Sequence, residues 1–283
     1  MTLRLNNADF DDLFGPTKRG LKGYSAEVGW DKTLLFDKPR KMGLEMDAAA
    51  YGGLDQVPGY QNVASPYSTL FQTRARLHYE NVRSSLGHVD DEKGITRDVV
   101  AAGNYVNDDL IPLARSGLDI GFALPMGHSS IWLRTDVGYA WGDADDPFAN
   151  FYFGGFGNNW VDDGEIKRYR EWYSFPGVDL NSIGGQTFAK GLLEWNLPPL
   201  RFENVGWPSF YITWVRASLF TTGLLTSPDD SDLRSEYANV GAQIDVRFTA
   251  LSKLNMTISL GLARAFLAKG ASSNEFMLSL KIL

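Results

Sequence analysis

Residues 235–250 alternate between apolar and polar side chains with a period of two, and this alternation constrains the fold more than any other feature. A period of two is that of a β-strand, whose successive side chains point to opposite faces of a sheet. One face of this strand is therefore apolar and the other is polar along its whole length. The apolar set is Ala238, Val240, Ala242, Ile244, Val246, Phe248 and Ala250. The polar set is Ser235, Tyr237, Asn239, Gly241, Gln243, Asp245, Arg247 and Thr249.

The same alternation recurs along most of the chain and predicts about twelve strands. An even number places both chain ends on one side, as in single-chain bacterial barrels, and strands of about 10 to 16 residues can cross a membrane when tilted. A chain that ends inside a strand fits a closed sheet better than an open edge, so residues 2–10 are expected to pair with 275–283. The predicted ranges are 2–10, 22–36, 40–51, 67–83, 94–106, 113–124, 130–142, 184–196, 209–222, 235–250, 254–266 and 275–283.

The lengths of the connections also fit a membrane barrel, which has short turns at one end and long loops at the other. Short connections fall at 37–39, 125–129 and 251–253, and longer ones fall at 11–21, 52–66, 143–183 and 223–234, with 84–93 and 197–208 as moderate exceptions. We therefore predict an all-β fold in which residues 1–283 form one closed antiparallel transmembrane β-barrel. The alternative is a soluble sandwich or lipocalin-like barrel, which would turn its apolar face inward.

The segment from about 143 to 183 is the longest stretch without strand or helix periodicity. A connection of this length is unusual in a compact domain unless it folds against something. Its aromatic side chains are too many to leave in water, so we expect the loop to fold into the barrel lumen. The aromatic residues expected to pack there include Phe153, Phe156, Trp160, Tyr169 and Phe175.

Composition excludes several functions. The chain has no cysteine, which removes disulfides, thiolate metal sites and cysteine nucleophiles. A net charge of −7 without a cluster of basic residues argues against a nucleic-acid partner. The sequence contains no run of about 18 apolar residues, so no membrane-spanning helix is predicted. The first residues lack a signal peptide, so the chain is either a mature or cut-out fragment or a cytosolic protein, and we expect a fragment.

Catalytic and metal-binding patterns are weak, and we expect neither an enzyme nor a cofactor. No nucleophile elbow or phosphate-binding loop is present. The three histidines, His78, His88 and His128, are scattered without metal-ligand spacing and are expected to be structural or exposed. The acidic runs at 90–92 and 229–232 could bind a divalent cation weakly, but such runs are more often solvated loops.

From the long loop to the chain end, the order of motifs resembles the outer-membrane assembly-factor superfamily, also called the bacterial surface antigen family. The motifs after the loop are Ile183-Gly184-Gly185-Gln186, Leu193-Glu194-Trp195-Asn196-Leu197-Pro198 and Val215-Arg216-Ala217-Ser218-Leu219-Phe220. In that family five strands follow the sixth loop, as five predicted strands do here. The segments 7–10 and 12–18 also resemble the barrel found at the end of TolB-like propeller proteins. The resemblance implies a periplasmic propeller in the same protein, preceding this barrel.

The resemblance also implies a role for the loop arginines. In the family, an arginine of the sixth loop pairs with acids on the barrel wall, and the corresponding residues here are Arg168 and Arg170. Thr221 stands where the family has its wall aspartate, so Glu194, Asp136 or Asp245 are the expected partners. The alternative is that both arginines are solvated loop charges.

Three classes of function remain open. The first is an assembly-factor barrel in the bacterial outer membrane that translocates or inserts protein or lipid. The second is a passive diffusion channel, and the third is an anchor for a periplasmic module. The expected partners are outer-membrane lipid, a propeller in the same chain and an unfolded protein or lipid substrate. A loop of this length should leave little open lumen in a twelve-stranded barrel, which argues against the channel.

Overall fold

The computed structural model describes residues 1–11, 20–56, 67–162, 164–267 and 270–282. The fold is all-β, and no α-helix occurs in these ranges. The long strands are β1 (Thr2–Asp11), β2 (Gly20–Asp37), β3 (Arg40–Gln56), β4 (Leu70–Arg83), β5 (Lys93–Val106), β6 (Asp109–Ala123), β7 (Ser130–Ala140), β11 (Thr187–Asn196), β13 (Phe210–Thr226), β14 (Ser235–Ala250), β15 (Leu254–Phe266) and β16 (Ser272–Ile282). The shorter strands are β8 (Phe151–Phe153), β9 (Val161–Asp162), β10 (Ile183–Gly185) and β12 (Leu200–Trp207). The 12–18 part of the family resemblance lies outside the described residues.

One large antiparallel sheet contains all the long strands. Its order is β1 to β7, then β11, then β13 to β16, so that each long strand pairs with the next along the chain. The apolar and polar alternation of the sequence produces this arrangement, because each hairpin keeps side chains of like character on the same face. The described part contains no helix with the length and apolar character of a membrane-spanning helix.

The connection predicted at 197–208 is wrong, because β12 occupies most of it. Both β11 and β12 pair with β13, so they are two parts of one interrupted strand. The interruption coincides with Pro198 and Pro199. Proline has no backbone N–H to donate to the ladder, which explains the break. The turn that follows is therefore short, at Pro208 and Ser209.

On strands β13 and β14, which the long loop contacts, the apolar face of the sheet is the exposed face and the polar face is the buried one. On β14, Val240 and Ile244 are 51% and 45% exposed, whereas Gln243 and Asp245 are completely buried. The same holds for β13, where Leu219 is exposed and Ser218 and Thr222 are buried. This polarity is opposite to that of a soluble sandwich, whose apolar side chains fill the core.

The connections divide between the two ends of the strands. The end with the chain termini carries 38–39, 124–129, 208–209, 251–253 and the longer loop 84–92. Among the described connections, the opposite end carries 141–186 and 227–234, together with one tight turn at Asn107-Asp108. We call these the terminal end and the loop end. Residues 141–186 leave from the loop end and return to it.

The two outer strands of the sheet have different neighbours. Among the described residues, β1 pairs only with β2. The last strand, β16, pairs with β15 and, in parallel, with the two-residue strand β9 of the long loop. The seam expected between residues 2–10 and 275–283 is not among these pairings, so closure of the sheet stays a prediction.

Candidate functional site: an ionic cluster between two loops

The long loop, residues 141–186, lies against the polar face of the sheet, which we call the inner face. Its two ends are joined by antiparallel pairing of β8 with β10. Aromatic rings fix it there: Phe153 packs edge-on against Phe188 of β11, with ring centroids 4.8 Å apart. Phe175 lies in the same buried cluster. Burying such rings is the main apolar contribution that holds this loop in place.

A second aromatic group fills the space next to β13 and β15. Tyr169 stacks on Phe220 with centroids 4.3 Å apart, and Phe156 meets the same ring edge-on at 6.0 Å. Phe156 also covers Gly261, where an added Cβ would lie 2.7 Å from the ring. The absence of a side chain at Gly261 therefore makes room for the loop.

Gly177 allows the loop to approach β15 closely. Its φ of +108° is one that residues with a side chain rarely adopt, and a Cβ there would lie 2.6 Å from the backbone nitrogen of Ala265. Glycine is the residue that tolerates both conditions. The loop backbone can therefore reach the strand wall at this point.

Arg170 is the centre of an ionic cluster on the inner face. Its Nη2 lies 2.8 Å from Glu194 Oε1 and 2.7 Å from Asp90 Oδ2. Its Nε donates to both oxygens of Glu194 at 3.0 Å. Glu194 is completely buried and also accepts a hydrogen bond of 2.5 Å from the hydroxyl of Tyr169. A guanidinium suits this role because its donors are held in a fixed plane and can engage several oxygens at once.

Lys167 adds a second cation to the cluster. Its Nζ lies 2.7 Å from Asp90 Oδ2 and donates to Asn196 Oδ1 at 2.6 Å. The side chain is only 3% exposed. Burial, together with the neighbouring charge of Arg170, lowers the pKa of Lys167 to about 8.

Asp90 comes from the terminal end, opposite to the end from which the long loop enters. The loop 84–92 therefore meets the long loop on the inner face. Burial disfavours the charged form of Asp90, but the positive charges of Arg170 and Lys167 outweigh it and hold the pKa of this carboxyl well below its usual range. The expectation of a solvated acidic loop is therefore wrong for Asp90. Its contacts with the cations of the long loop are long-range in sequence, so local composition does not reveal them.

Further hydrogen bonds fix the loop 84–92 to the sheet. The indole N–H of Trp132 donates to the carbonyl oxygen of Asp91 at 3.2 Å. Glu92 accepts from the Ser85 hydroxyl and contacts His128 Nδ1, both at 2.7 Å. Burial opposes ionisation of Glu92, but these hydrogen bonds dominate and lower its pKa. Asp90 is thus positioned by a structured loop.

Asp136 and Asp245, the other predicted acids, pair with arginines of the wall. Asp136 lies 2.5 Å from Arg115 of β6, and Asp245 lies 2.8 Å from Arg216 of β13. Arg216 in turn lies 3.6 Å from Asp90, so Arg216 connects Asp245 to the ionic cluster. Each acid has an arginine on the adjacent strand, which is closer than the loop arginines.

These pairs belong to a belt of alternating charges that crosses the inner face. Neighbouring inward positions on adjacent strands carry opposite charges, which stabilises a sheet when they lie side by side. The belt includes Glu45–Arg76 at 3.5 Å, Arg76–Asp98 at 2.5 Å, Arg134–Asp119 at 2.5 Å and Arg134–Glu194 at 3.2 Å, together with the contact between Asp98 and Arg115. The ionic cluster is the part of this belt that includes the loops.

Two predicted residues lie apart from the cluster. Arg168 donates to the hydroxyl of Tyr173 at 2.8 Å, within the long loop. Trp160 is 74% exposed, so the expectation that it packs with the other loop aromatics is wrong. Its carbonyl oxygen accepts from the backbone N–H of Leu280 at 2.8 Å. The loop runs along the edge of β16 here.

Two wall residues that hold the long loop are absent from the sequence prediction. The Nζ of Lys190 donates to the carbonyl oxygens of Glu171, Trp172 and Ser174 at 2.6 to 3.0 Å. Glu275 accepts from the backbone N–H groups of Phe156 and Gly177 at 3.1 and 2.8 Å. Both are recognisable only as charged residues on polar strand faces, since their partners are backbone groups that no sequence motif marks.

A comparison of the chain with models of protein families finds no match, and a search of curated proteins finds none either. The resemblance to the assembly-factor superfamily therefore rests on the sequence motifs and stays a prediction.

Proposed function

We propose that this chain is a bacterial outer-membrane β-barrel of the assembly-factor type, closed in the bilayer and filled by its long loop. Such a barrel would translocate or insert protein or lipid, or anchor a periplasmic module such as the propeller that the resemblance implies. The observation that carries the membrane part of the proposal is the polarity of the sheet. On β13 and β14 the apolar side chains face outward and the polar side chains are buried, which is the arrangement expected of a barrel in lipid.

The position of the long loop favours this function over a diffusion channel. The loop occupies the inner face from β6 to β16, and it meets the loop 84–92 that enters from the other end. A pore for free diffusion needs a continuous aqueous path, whereas two loops joined by buried ion pairs obstruct one. The ionic cluster would then hold the closed state.

The membrane part of the proposal can be tested by cysteine accessibility, because the chain has no native cysteine. Single cysteines at positions 242 to 247 are labelled with a water-soluble maleimide after reconstitution into phospholipid vesicles. We expect positions 242, 244 and 246 to be protected, since the alternation places them in lipid. Position 247, on the polar face and partly exposed, serves as the water-accessible control, because Gln243 and Asp245 are completely buried. A lipid-soluble maleimide should label the even positions, and labelling of the even positions by the water-soluble reagent as fast as at position 247 would contradict a membrane barrel.

The assembly activity needs a separate measurement. Vesicles containing the chain are mixed with a urea-unfolded outer-membrane barrel protein, and folding of that substrate is followed by its heat-modifiable gel mobility. An assembly factor should accelerate folding several-fold over empty vesicles. An anchor should leave the rate unchanged, and a channel should show steady conductance in planar bilayers without affecting folding. The last two results would each replace the assembly function with the corresponding alternative.

A further inference from the structure

A cavity of about 580 Å³ lies between the long loop and strands β4 to β6. Gln72 and Asn104 are among its lining residues, and both are near the loop end of their strands. The volume is in the range of small-molecule sites in proteins, which run from roughly 300 to 1,000 Å³. It is separate from the ionic cluster, since Arg170, Glu194 and Asp90 do not line it.

The strand side of the cavity is rich in hydrogen-bond donors with positive charge. Arg74, Arg76 and Arg115 line it, and Glu171 is the carboxylate among its described lining residues. Asp47 binds Arg74 and Asp98 binds Arg76, and neither of these acids is among the lining residues. A molecule in the cavity would therefore meet guanidinium groups first.

Arg74 retains capacity for another anion. Its Nε and Nη2 both donate to Asp47, at 3.1 and 2.8 Å. A guanidinium has five N–H donors, so pairing with one carboxylate leaves others to offer. The side chain is 52% exposed, which leaves it accessible from the cavity. Arg74 is accordingly the arginine best placed to bind a ligand.

The loop side of the cavity is lined by the aromatic side chains of Tyr152, Trp172 and Tyr173. The Trp172 ring stacks on Phe188 with centroids 6.1 Å apart and has the guanidinium of Arg115 5.5 Å from its centre, so a ligand ring would meet the two tyrosines. The amides of Gln72 and Asn104 also line the cavity and are hydrogen-bonded to each other, with Gln72 Nε2 donating to Asn104 Oδ1 at 3.1 Å. Aromatic faces accept a ring with apolar C–H surface, and amides exchange hydrogen bonds with hydroxyl groups.

We propose that this cavity binds an anionic sugar, with its carboxylate on Arg74 and its ring against the aromatic side chains of the loop. The charge selects the ligand because a carboxylate and a guanidinium form paired, charge-assisted hydrogen bonds. The ring and its hydroxyl groups distinguish such a ligand from a simple anion, which would leave the aromatic faces and amides unused. This proposal depends on the cavity and not on the assembly activity.

The test is isothermal titration calorimetry of the detergent-solubilised chain with glucuronate as the probe. We expect saturable binding of glucuronate and at least about tenfold weaker binding of glucose and of inorganic phosphate, the range that one charge-assisted hydrogen bond supplies. Arg74→Gln should weaken glucuronate binding about tenfold for the same reason. Arg247→Gln is the matched control, because it removes the same charge from the terminal end of β14.

Absence of glucuronate binding to the unmodified chain would overturn the proposal. Equal binding of glucose would overturn the role of charge, and equal weakening by Arg247→Gln would show that net charge alone attracts the ligand. Each result would remove the proposed site. Heat-modifiable mobility checks that the Arg74→Gln variant is folded. If it is not, the comparison of glucuronate, glucose and phosphate on the unmodified chain still decides the matter.

Discussion

Arg170 contacts acids from two separate parts of the chain, Glu194 on the wall and Asp90 on the loop from the terminal end. Replacing it with alanine would leave both carboxylates without their main cation in a site of low polarity. We expect Arg170→Ala to lower the free energy of unfolding by about 3 to 5 kcal/mol, the usual cost of breaking a buried ion pair from one side. Urea titration of the protein in detergent, followed by tryptophan fluorescence, measures this change.

Arg234 supplies the control for that measurement. It is an exposed arginine in the connection between β13 and β14. Arg234→Ala should cost no more than about 1 kcal/mol, as for surface charges in general. If Arg170→Ala lowers the free energy of unfolding as little as Arg234→Ala does, the ionic cluster does not hold the long loop.

The pKa of Asp90 predicts when the contact between the two loops weakens. Since its folded-state pKa lies well below the unfolded value of about 3.9, its stabilising effect is fully present above that value. The effect is lost as the pH falls from about 3.9 through the folded-state pKa. Hydrogen exchange of residues 84–92 should therefore stay slow from pH 7 to 5 and accelerate, after correction for intrinsic rates, only below about pH 4.

Asp90→Asn is the comparison for the pH series, because an amide cannot titrate. In this variant the same segment should exchange faster than in the unmodified chain at pH 7 and should show a smaller acid-dependent step. An acid step of the same size in both proteins would assign the transition to another group.

Some of the acids near the loop arginines can be predicted from the sequence, and others cannot. Glu194 is predictable as a partner of the loop arginines because it lies on a polar strand face within a family-like motif. Asp90 is not, because its position depends on the fold of loop 84–92 around Glu92 and Trp132. Asp136 and Asp245 are plausible partners because the alternation places them on polar strand faces. The alternation does not say which arginine lies on the next strand.

At the scale of elements, the fit between the long loop and β15 depends on the missing side chain of Gly261. A Cβ there would lie 2.7 Å from the buried ring of Phe156. We expect Gly261→Ala to destabilise the protein by about 1 to 3 kcal/mol, as overpacking of a filled interior does. The measurement is urea titration as for Arg170.

Gly223 on β13 provides a matched control, since an added Cβ there meets nothing within 4 Å. Gly223→Ala should be neutral or stabilising by about 0.5 to 1 kcal/mol, because alanine restricts the unfolded chain. Equal effects of the two substitutions would indicate that the loop is not packed tightly against β15.

Strand positions are predictable because the alternation is imposed by the two faces of the sheet. It predicts β14 at 235–250 with the bounds that the structure has. It misses β12, where the two prolines interrupt the pattern, and it predicts no strand within the long loop apart from the residues at its end. Those short strands form through tertiary contacts, which a local period does not encode.

At the scale of the whole molecule, the exposed apolar face predicts that the energetic cost of a charged substitution depends strongly on its depth in the bilayer. Ile244 lies near the middle of β14 on that face. Ile244→Arg should cost about 2 to 4 kcal/mol in phospholipid vesicles if the residue lies near the midplane, because a charge is poorly solvated there. Glu236→Arg, on the same face but near the strand end, should cost at most about 1 kcal/mol. Similar costs at both positions would argue against a lipid-facing strand.

Closure of the sheet is the remaining property of the whole molecule. The outer edges of β1 and β16 would carry unpaired backbone N–H and C=O groups in lipid, at a cost of several kcal/mol for each group. We therefore expect β1 and β16 to approach each other in a bilayer. Strand β9 pairs with β16 only at its end, near Leu280. Cysteines at positions 5 and 278, the latter outside the two residues of β16 that pair with β9, should be joined by a short bismaleimide in vesicles. Cysteines at positions 5 and 219 should not be joined, because β13 lies three strands away from β16 in the sheet. A folded, vesicle-embedded protein without the first cross-link would show that the two edges stay apart, and the closed single-chain barrel would then be wrong.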